Sequence, residues 1–215
     1  MAARIVLVDY SKGNLLSVAR SLADVGAEVA ITDDPAVIRS ASGIVLPGVG
    51  SLEDAMGFIG ASGVGEALVD ALARNVPFLG ICLGEHLLME SGEESESGSC
   101  AALGVLKGTV TRLDGSVLKV PHVGWDQIEI TQTGRACPLF EGIEDGAHVY
   151  FTHSYALADD VDPSLVAAYT DYTRRFPSAI WRDNIFAVQF HPEKSSRVGL
   201  AILRNFVRLV PEEGR

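Results

Sequence analysis

Short β-branched apolar runs alternate with amphipathic stretches through the first third of the chain. Arg4 to Asp9 reads as a strand, Leu15 to Val25 carries its apolar residues at helical spacing, and Glu28 to Thr32 and Ile44 to Leu46 are strand-like again. After Pro47-Gly48-Val49-Gly50, the pattern predicts a helix over Val64 to Arg74, a buried strand from Pro77 to Ile81 and a further helix starting at Leu83. This βαβ rhythm predicts a doubly wound, mostly parallel α/β sheet with helices on both faces, a fold that binds ligands at the carboxyl ends of its strands.

The second half is patterned differently. Gly108 to Leu113, Val117 to Val120, Gln127 to Ile130, Val149 to Phe151 and Leu165 to Tyr169 are short strand candidates separated by Gly, Pro and Asp, followed by Ile180-Trp181 and Phe186 to Phe190. They predict additional antiparallel pairs. A closing helix is expected from Val198 to Leu209, and the acidic, serine-rich Glu90 to Ser99 reads as a solvated loop. With no internal repeat and no linker composition, residues 1–215 are expected to form a single domain.

Composition narrows the function classes. The chain is 47% hydrophobic and 21% charged, enough apolar material for a sizeable core. A formal net charge of −11 argues against nucleic acid or an anionic membrane surface as partner, since both call for clustered Lys and Arg. No run of about 18 apolar residues and no signal-peptide architecture occurs, so a cytoplasmic protein is expected. Cys82, Cys100 and Cys137 are odd in number and far apart, which fits neither a disulfide framework nor a zinc site. No metal and no cofactor are expected.

Cys82 stands apart from the other two cysteines. Gly80-Ile81-Cys82-Leu83-Gly84 has the G-x-nucleophile-x-G form of an elbow, with an apolar strand before it and a helical pattern after. In such a turn the unpaired N–H groups of the helix start favour a thiolate, and the amide of Leu83 is positioned to serve an oxyanion hole. A second donor is expected from the glycine-rich strand end Pro47 to Gly50. His191 and Glu193, two residues apart in Gln189-Phe190-His191-Pro192-Glu193-Lys194-Ser195, would share one face of an extended segment, separated by about 7 Å of backbone. A carboxylate there fixes the imidazole tautomer and stabilises the imidazolium, the base and orienter expected beside a nucleophilic cysteine. His122, His148 and His153 compete for the base role, but neither His122 nor His153 has an acid two residues away.

These segments, GICLG at Gly80 to Gly84, PGVG at Pro47 to Gly50 and QFHPEKS at Gln189 to Ser195, resemble the class I (triad) glutamine amidotransferases. DYSKGN at Asp9 to Asn14, KVPHVGWD at Lys119 to Asp126 and YFTHSY at Tyr150 to Tyr155 extend the likeness over nearly the whole chain. The resemblance implies a flavodoxin-like fold and a glutaminase using Cys82, His191 and Glu193, with the amides of Val49 and Leu83 as oxyanion hole. It implies that Gly48, Gly50, His86, Ser154 and Tyr155 surround the substrate L-glutamine. It further implies a barrel-shaped cyclase partner that receives the ammonia, docked near Asn14, His122, Trp125 and Lys194. The family usually has Met-Gln after GICLG, the Gln serving substrate binding, whereas this chain has Glu85 and His86. That departure leaves open a paralogue feeding ammonia to another synthase and a catalytically idle subunit kept for its interface.

Overall fold

The computed structural model describes residues 3–10 and 14–211. Ser11-Lys12-Gly13 of the DYSKGN segment lie outside the described residues. Five strands form the parallel part of the main sheet: β1 (Ala3–Val8), β2 (Ala27–Thr32), β3 (Ile44–Gly48), β4 (Phe78–Cys82) and the late strand Ile185–Val188. Helices α1 (Leu15–Asp24), α2 (Pro35–Arg39), α3 (Leu52–Ser62) and α4 (Val64–Ala73) connect the early ones. One helical turn, α5 (Leu83–His86), follows β4.

Two further strands, β5 (Ser91–Gly92) and β6 (Cys100–Ala101), lie after α5, and β7 (Thr109–Arg112), β8 (His122–Gln127) and β9 (Glu129–Ile130) follow. Helix α6 (Gln132–Ala136) leads to β10 (His148–His153), β11 (Tyr155–Leu157), β12 (Val166–Asp171) and β13 (Arg175–Arg182), which makes Ile185–Val188 the strand β14. Helix α7 (Ser196–Leu209) ends the described chain. The main sheet has the order β2-β1-β3-β4-β14-β13-β12-β9, with the last three strands antiparallel. The expected mixed α/β architecture is therefore present, parallel in the first half and antiparallel at the far edge.

Strand alternation sorts the core onto the two faces. On β1, Ile5 and Leu7 pack with Val18 and Leu22 of α1 and with Ile202, Leu203 and Phe206 of α7. Val6 and Val8 pack on the other face with Ile38 of α2, Ile59 of α3 and Leu68 of α4. Most of the buried strand residues are 0% exposed, as a sheet covered by helices on both sides requires.

Four expectations need correction. Helix α3 was not anticipated: Ser51 caps it by accepting the Asp54 N–H at 3.2 Å, and Glu53 and Asp54 occupy its positive end. Val117 to Val120 is not a strand, because the Asp114 carboxylate accepts the Ser116 N–H at 2.8 Å and starts a turn that leaves Val117 and Leu118 exposed. The helix after Cys82 is a single turn rather than a long element. The acidic loop is partly ordered sheet: Ser91–Gly92 pairs with β7 and β6, and Glu93 Oε2 accepts from the Arg112 N–H at 3.0 Å. Among the described residues no single helix is long and apolar enough to cross a membrane.

Candidate active site

The elbow forms where β4 leaves the sheet. Cys82 has φ 54° and ψ −107°, a strained backbone for a residue with a Cβ, of the kind that costs on the order of 1–3 kcal/mol and persists where the surroundings fix it. The surroundings do fix it. A Cβ on Gly84 would be driven into the Leu46 carbonyl, and one on Gly80 would sit 2.7 Å from the Gly84 carbonyl oxygen. Both positions therefore admit only glycine, and the turn clamps Cys82 between them.

Sheet register supplies the neighbours. Gly48 of β3 lies opposite Cys82 of β4, so Val49 and Leu83 are the next residues of two adjoining strand ends. Val49, Gly50, Cys82, Leu83 and His86 line one cavity of about 390 Å³, closed on another side by His153, Ser154 and Tyr155. Gly48 itself does not line it; a Cβ there would run into the Tyr10 hydroxyl and the Leu83 side chain, so glycine is required at this strand end. Glu94 reaches the same cavity from the segment expected to be solvated, and burial raises its carboxyl above the usual range. The helix macrodipole expected to favour the thiolate is small here, since α5 is four residues long and the effect grows with aligned peptide units.

His191 comes from the turn after β14. Val188 pairs with Ile81, which brings the following residues alongside Cys82. The segment is not extended as expected: Pro192–Lys194 is a 3₁₀ turn, and it folds Glu193 back so that Oε1 accepts from His191 Nδ1 at 2.9 Å. The two side chains are 3% and 1% exposed. Burial alone would lower the His191 pKa, but hydrogen bonding and attraction to Cys82 and Glu193 raise it to about 9. Nε2 has no other hydrogen-bond partner and is left to the thiol. Backbone bonds hold the turn in place, with the His191 N–H on the Tyr150 carbonyl at 2.9 Å and the Ser195 hydroxyl donating to the His191 carbonyl at 2.7 Å.

The competing histidines are otherwise engaged. His153 Nδ1 donates to the Tyr155 carbonyl at 2.8 Å, its Nε2 meets His122 Nδ1 at 3.2 Å, and burial pulls its pKa down to about 3. His122 is 3% exposed, stacked between Phe151 at 4.8 Å and Tyr172 at 3.9 Å. Its ring is thus covered almost entirely by this chain's own aromatic side chains, unlike the other residues expected near the docking face. His148 is exposed at the start of β10. The other expected docking residues do reach the surface: Asn14 and Lys194 are exposed and Trp125 is 52% exposed. Tyr150 ties two of them together, with the Trp125 ring 6.1 Å away edge-on and the Lys194 ammonium 5.7 Å above its ring.

Beneath the elbow lie Glu85, already noted as a departure from the family pattern, and Tyr10 and Gln189, to which sequence reasoning assigned no role. Glu85 is 0% exposed with neither carboxyl oxygen hydrogen-bonded; burial, then the charge of Cys82, holds it well above the usual carboxylate range. Tyr10 is likewise buried with its hydroxyl unpaired, and is raised by burial. Gln189, 0% exposed, lies between His86 and Cys82. Its signal in the sequence was a lone amide in the otherwise apolar run Ile185 to Phe190. No group of three or more His, Cys, Asp or Glu side chains suited to a metal ion occurs among the described residues.

Comparison with known proteins carries the geometry to a family. The chain is 48% identical over 204 residues to the imidazole glycerol phosphate synthase subunit HisH of Chloroflexus aurantiacus, covering 95% of each chain. It is 47% identical over 208 residues to the protein of the same name from Syntrophotalea carbinolica, covering 94% of this chain and 98% of that one. The structure of PurLQS from Thermotoga maritima aligns with a TM-score of 0.77 at 18% identity, over 98% of this chain and 100% of that one, a likeness of fold. The family model described as glutamine amidotransferase class-I matches residues 6–210, and with it the chain belongs to the class I glutamine amidotransferases.

Proposed function

We propose that the chain is the glutaminase subunit of imidazole glycerol phosphate synthase, hydrolysing L-glutamine and passing ammonia to a barrel-type, HisF-like cyclase in histidine biosynthesis. The observation that carries the reading is the His191–Glu193 pair at 2.9 Å, buried beside a clamped Cys82 at the floor of a cavity. The near full-length likeness to HisH proteins supplies the acceptor side.

The geometry suits acyl transfer. The Cys82 thiolate attacks the side-chain carboxamide carbon of glutamine, and the oxyanion that forms accepts hydrogen bonds from the amides of Val49 and Leu83. As this tetrahedral species collapses, its nitrogen takes a proton from the His191 imidazolium and departs as ammonia, leaving a γ-glutamyl thioester. Neutral His191 then takes a proton from water as it attacks the thioester, releasing glutamate and restoring the thiolate and the imidazolium. Glu193 stabilises the imidazolium throughout, and Ser154 and Tyr155 hold the glutamine from the cavity wall. Asn14, Trp125 and Lys194 form the face that meets the cyclase, with His122 behind it.

The test is glutamate release from glutamine by the chain mixed with a HisF-type cyclase and its nucleotide substrate, with Cys82→Ser as control. Release well above the control, accompanied by imidazole glycerol phosphate, is expected. No release above the control overturns the glutaminase reading, and release uncoupled from that cyclase overturns the choice of partner.

A further inference from the structure

Behind the nucleophile, three buried side chains run in series. The His86 imidazole is 3% exposed and its Nε2 lies 2.8 Å from Gln189 Oε1; the Gln189 Nε2, on a side chain that is 0% exposed, lies 3.6 Å from the Cys82 sulfur. The direction of this chain follows from what is left over. His86 Nδ1 has no partner. If the ring carried its proton there, a buried N–H donor would be orphaned, whereas with the proton on Nε2 only an acceptor lone pair goes unpaired, the less costly of the two. Burial also keeps the ring neutral, with its pKa lowered to about 4, so it carries one proton and not two. Nε2–H therefore donates to Gln189 Oε1, and the amide group of Gln189 is turned so that its N–H faces the sulfur.

We propose that Gln189 is a positioning residue that donates a hydrogen bond to the Cys82 thiolate, and that His86 fixes the orientation in which it does so. The inference rests on the reading of Cys82 as the nucleophile and adds to it. A lone glutamine amide is free to turn either way, and with its carbonyl toward the sulfur it would hold the thiol protonated instead. His86 removes that choice. Among the described side chains, Gln189 Nε2 lies within hydrogen-bonding distance of the sulfur and His191 is the other group hydrogen-bonded to it, so these two are placed to donate to the thiolate. With α5 only one turn long, a side-chain donor at this point substitutes for a helix end.

The experiment is the rate of iodoacetamide alkylation at the Cys82 peptide, read by mass spectrometry from pH 5 to 10, which needs neither glutamine nor a partner. Gln189→Met should displace the alkylation profile upward by about one pH unit, slowing the reaction about tenfold on its acid side while leaving the alkaline plateau in place. His86→Phe should displace it in the same direction by a smaller amount. His86→Gln, whose amide can donate to Gln189 but can also turn, should return the profile only part of the way. Should Gln189→Met fail to fold, Gln189→Glu keeps the size, and its acceptor oxygens should displace the profile further upward. Profiles that keep their position in Gln189→Met and His86→Phe, or that fall uniformly at every pH, overturn the proposal. Loss of glutaminase activity in the wild-type complex would overturn the parent reading instead, without touching these profiles.

Discussion

Replacing Glu193 by glutamine removes one charge at almost constant volume from a pair that is nearly closed to water, so it isolates what the carboxylate does for His191. The side chains are 3% and 1% exposed and 2.9 Å apart, the geometry of a charge-assisted hydrogen bond. Such a bond to a buried imidazolium contributes about 2 kcal/mol, equivalent to about 1.5 pKa units. The His191 pKa, raised to about 9, would then fall to about 7.5 in Glu193→Gln. The sign follows from the chemistry: the imidazolium must be present to protonate the departing nitrogen, so activity is lost as pH rises through the His191 pKa. Between pH 7 and pH 8.5 the wild-type complex should lose only about a quarter of its kcat, whereas Glu193→Gln should lose about 85% of its own. At pH 7 the variant should already be slower by about 30-fold, because the imidazolium is less stabilised in the transition state. The assay is glutamate release by the complex at saturating glutamine across pH 6 to 10. An alkaline limb that stays in place in Glu193→Gln would refute the assignment of Glu193 as a group that, with Cys82, raises His191.

Further substitutions test the clamp and the surfaces. Gly84→Ala drives a methyl into the Leu46 carbonyl, which is backbone and has nowhere to go, so thermal denaturation should show a loss of about 3 kcal/mol or more. Trp125→Ala should leave stability within about 0.5 kcal/mol, since the ring is 52% exposed, while weakening cyclase binding in calorimetry by about 30-fold or more. Arg174→Ala removes donors to the Leu157 and Ala156 carbonyls and to Thr111, at 2.8, 3.2 and 2.9 Å, and should cost about 2 kcal/mol in urea denaturation without moving the pH profile of activity.

Local chemistry made the elbow legible. Gly80 is required by the Gly84 carbonyl four residues on, whereas Gly84 is required by the Leu46 carbonyl of the neighbouring strand, so the glycine pattern is legible locally although half of its cause is not. The His191–Glu193 pair was legible for the same cause, although proline turns it into a 3₁₀ bend and the extended spacing used to predict it does not occur. Where two local signals conflicted, the turn chemistry prevailed over the apolar count. Val117 and Leu118 looked strand-like, but the Asp114 carboxylate two residues from the Ser116 amide forms the turn first. Helix α3 was hidden by Gly57 and Gly60, which dilute its apolar stripe, even though Ser51 followed by Glu53 and Asp54 is a helix start. The parallel half of the sheet needed only periodicity; the antiparallel edge, with its short strands and bulges, needed pairings that no window of sequence contains.

The harder part of the site depends on strand order. Cys82 acquires its surroundings because β4 lies between β3 and β14, which levels Gly48 on one side and the residues after Val188 on the other. Gln189 and His86 are 103 positions apart and meet only through that arrangement. Seen in sequence alone, His86 is a departure from the family's glutamine and casts doubt on the affinity for substrate. Seen beside Gln189, the replacement retains a donor to the same amide oxygen while adding a ring too buried to charge. The glutamine of the family would have left two amides face to face, each able to turn; a neutral imidazole with one proton leaves a single satisfied orientation. What changes at position 86 is therefore the orientation of the group behind the nucleophile, and the alkylation profile of Cys82 is where that change is measurable.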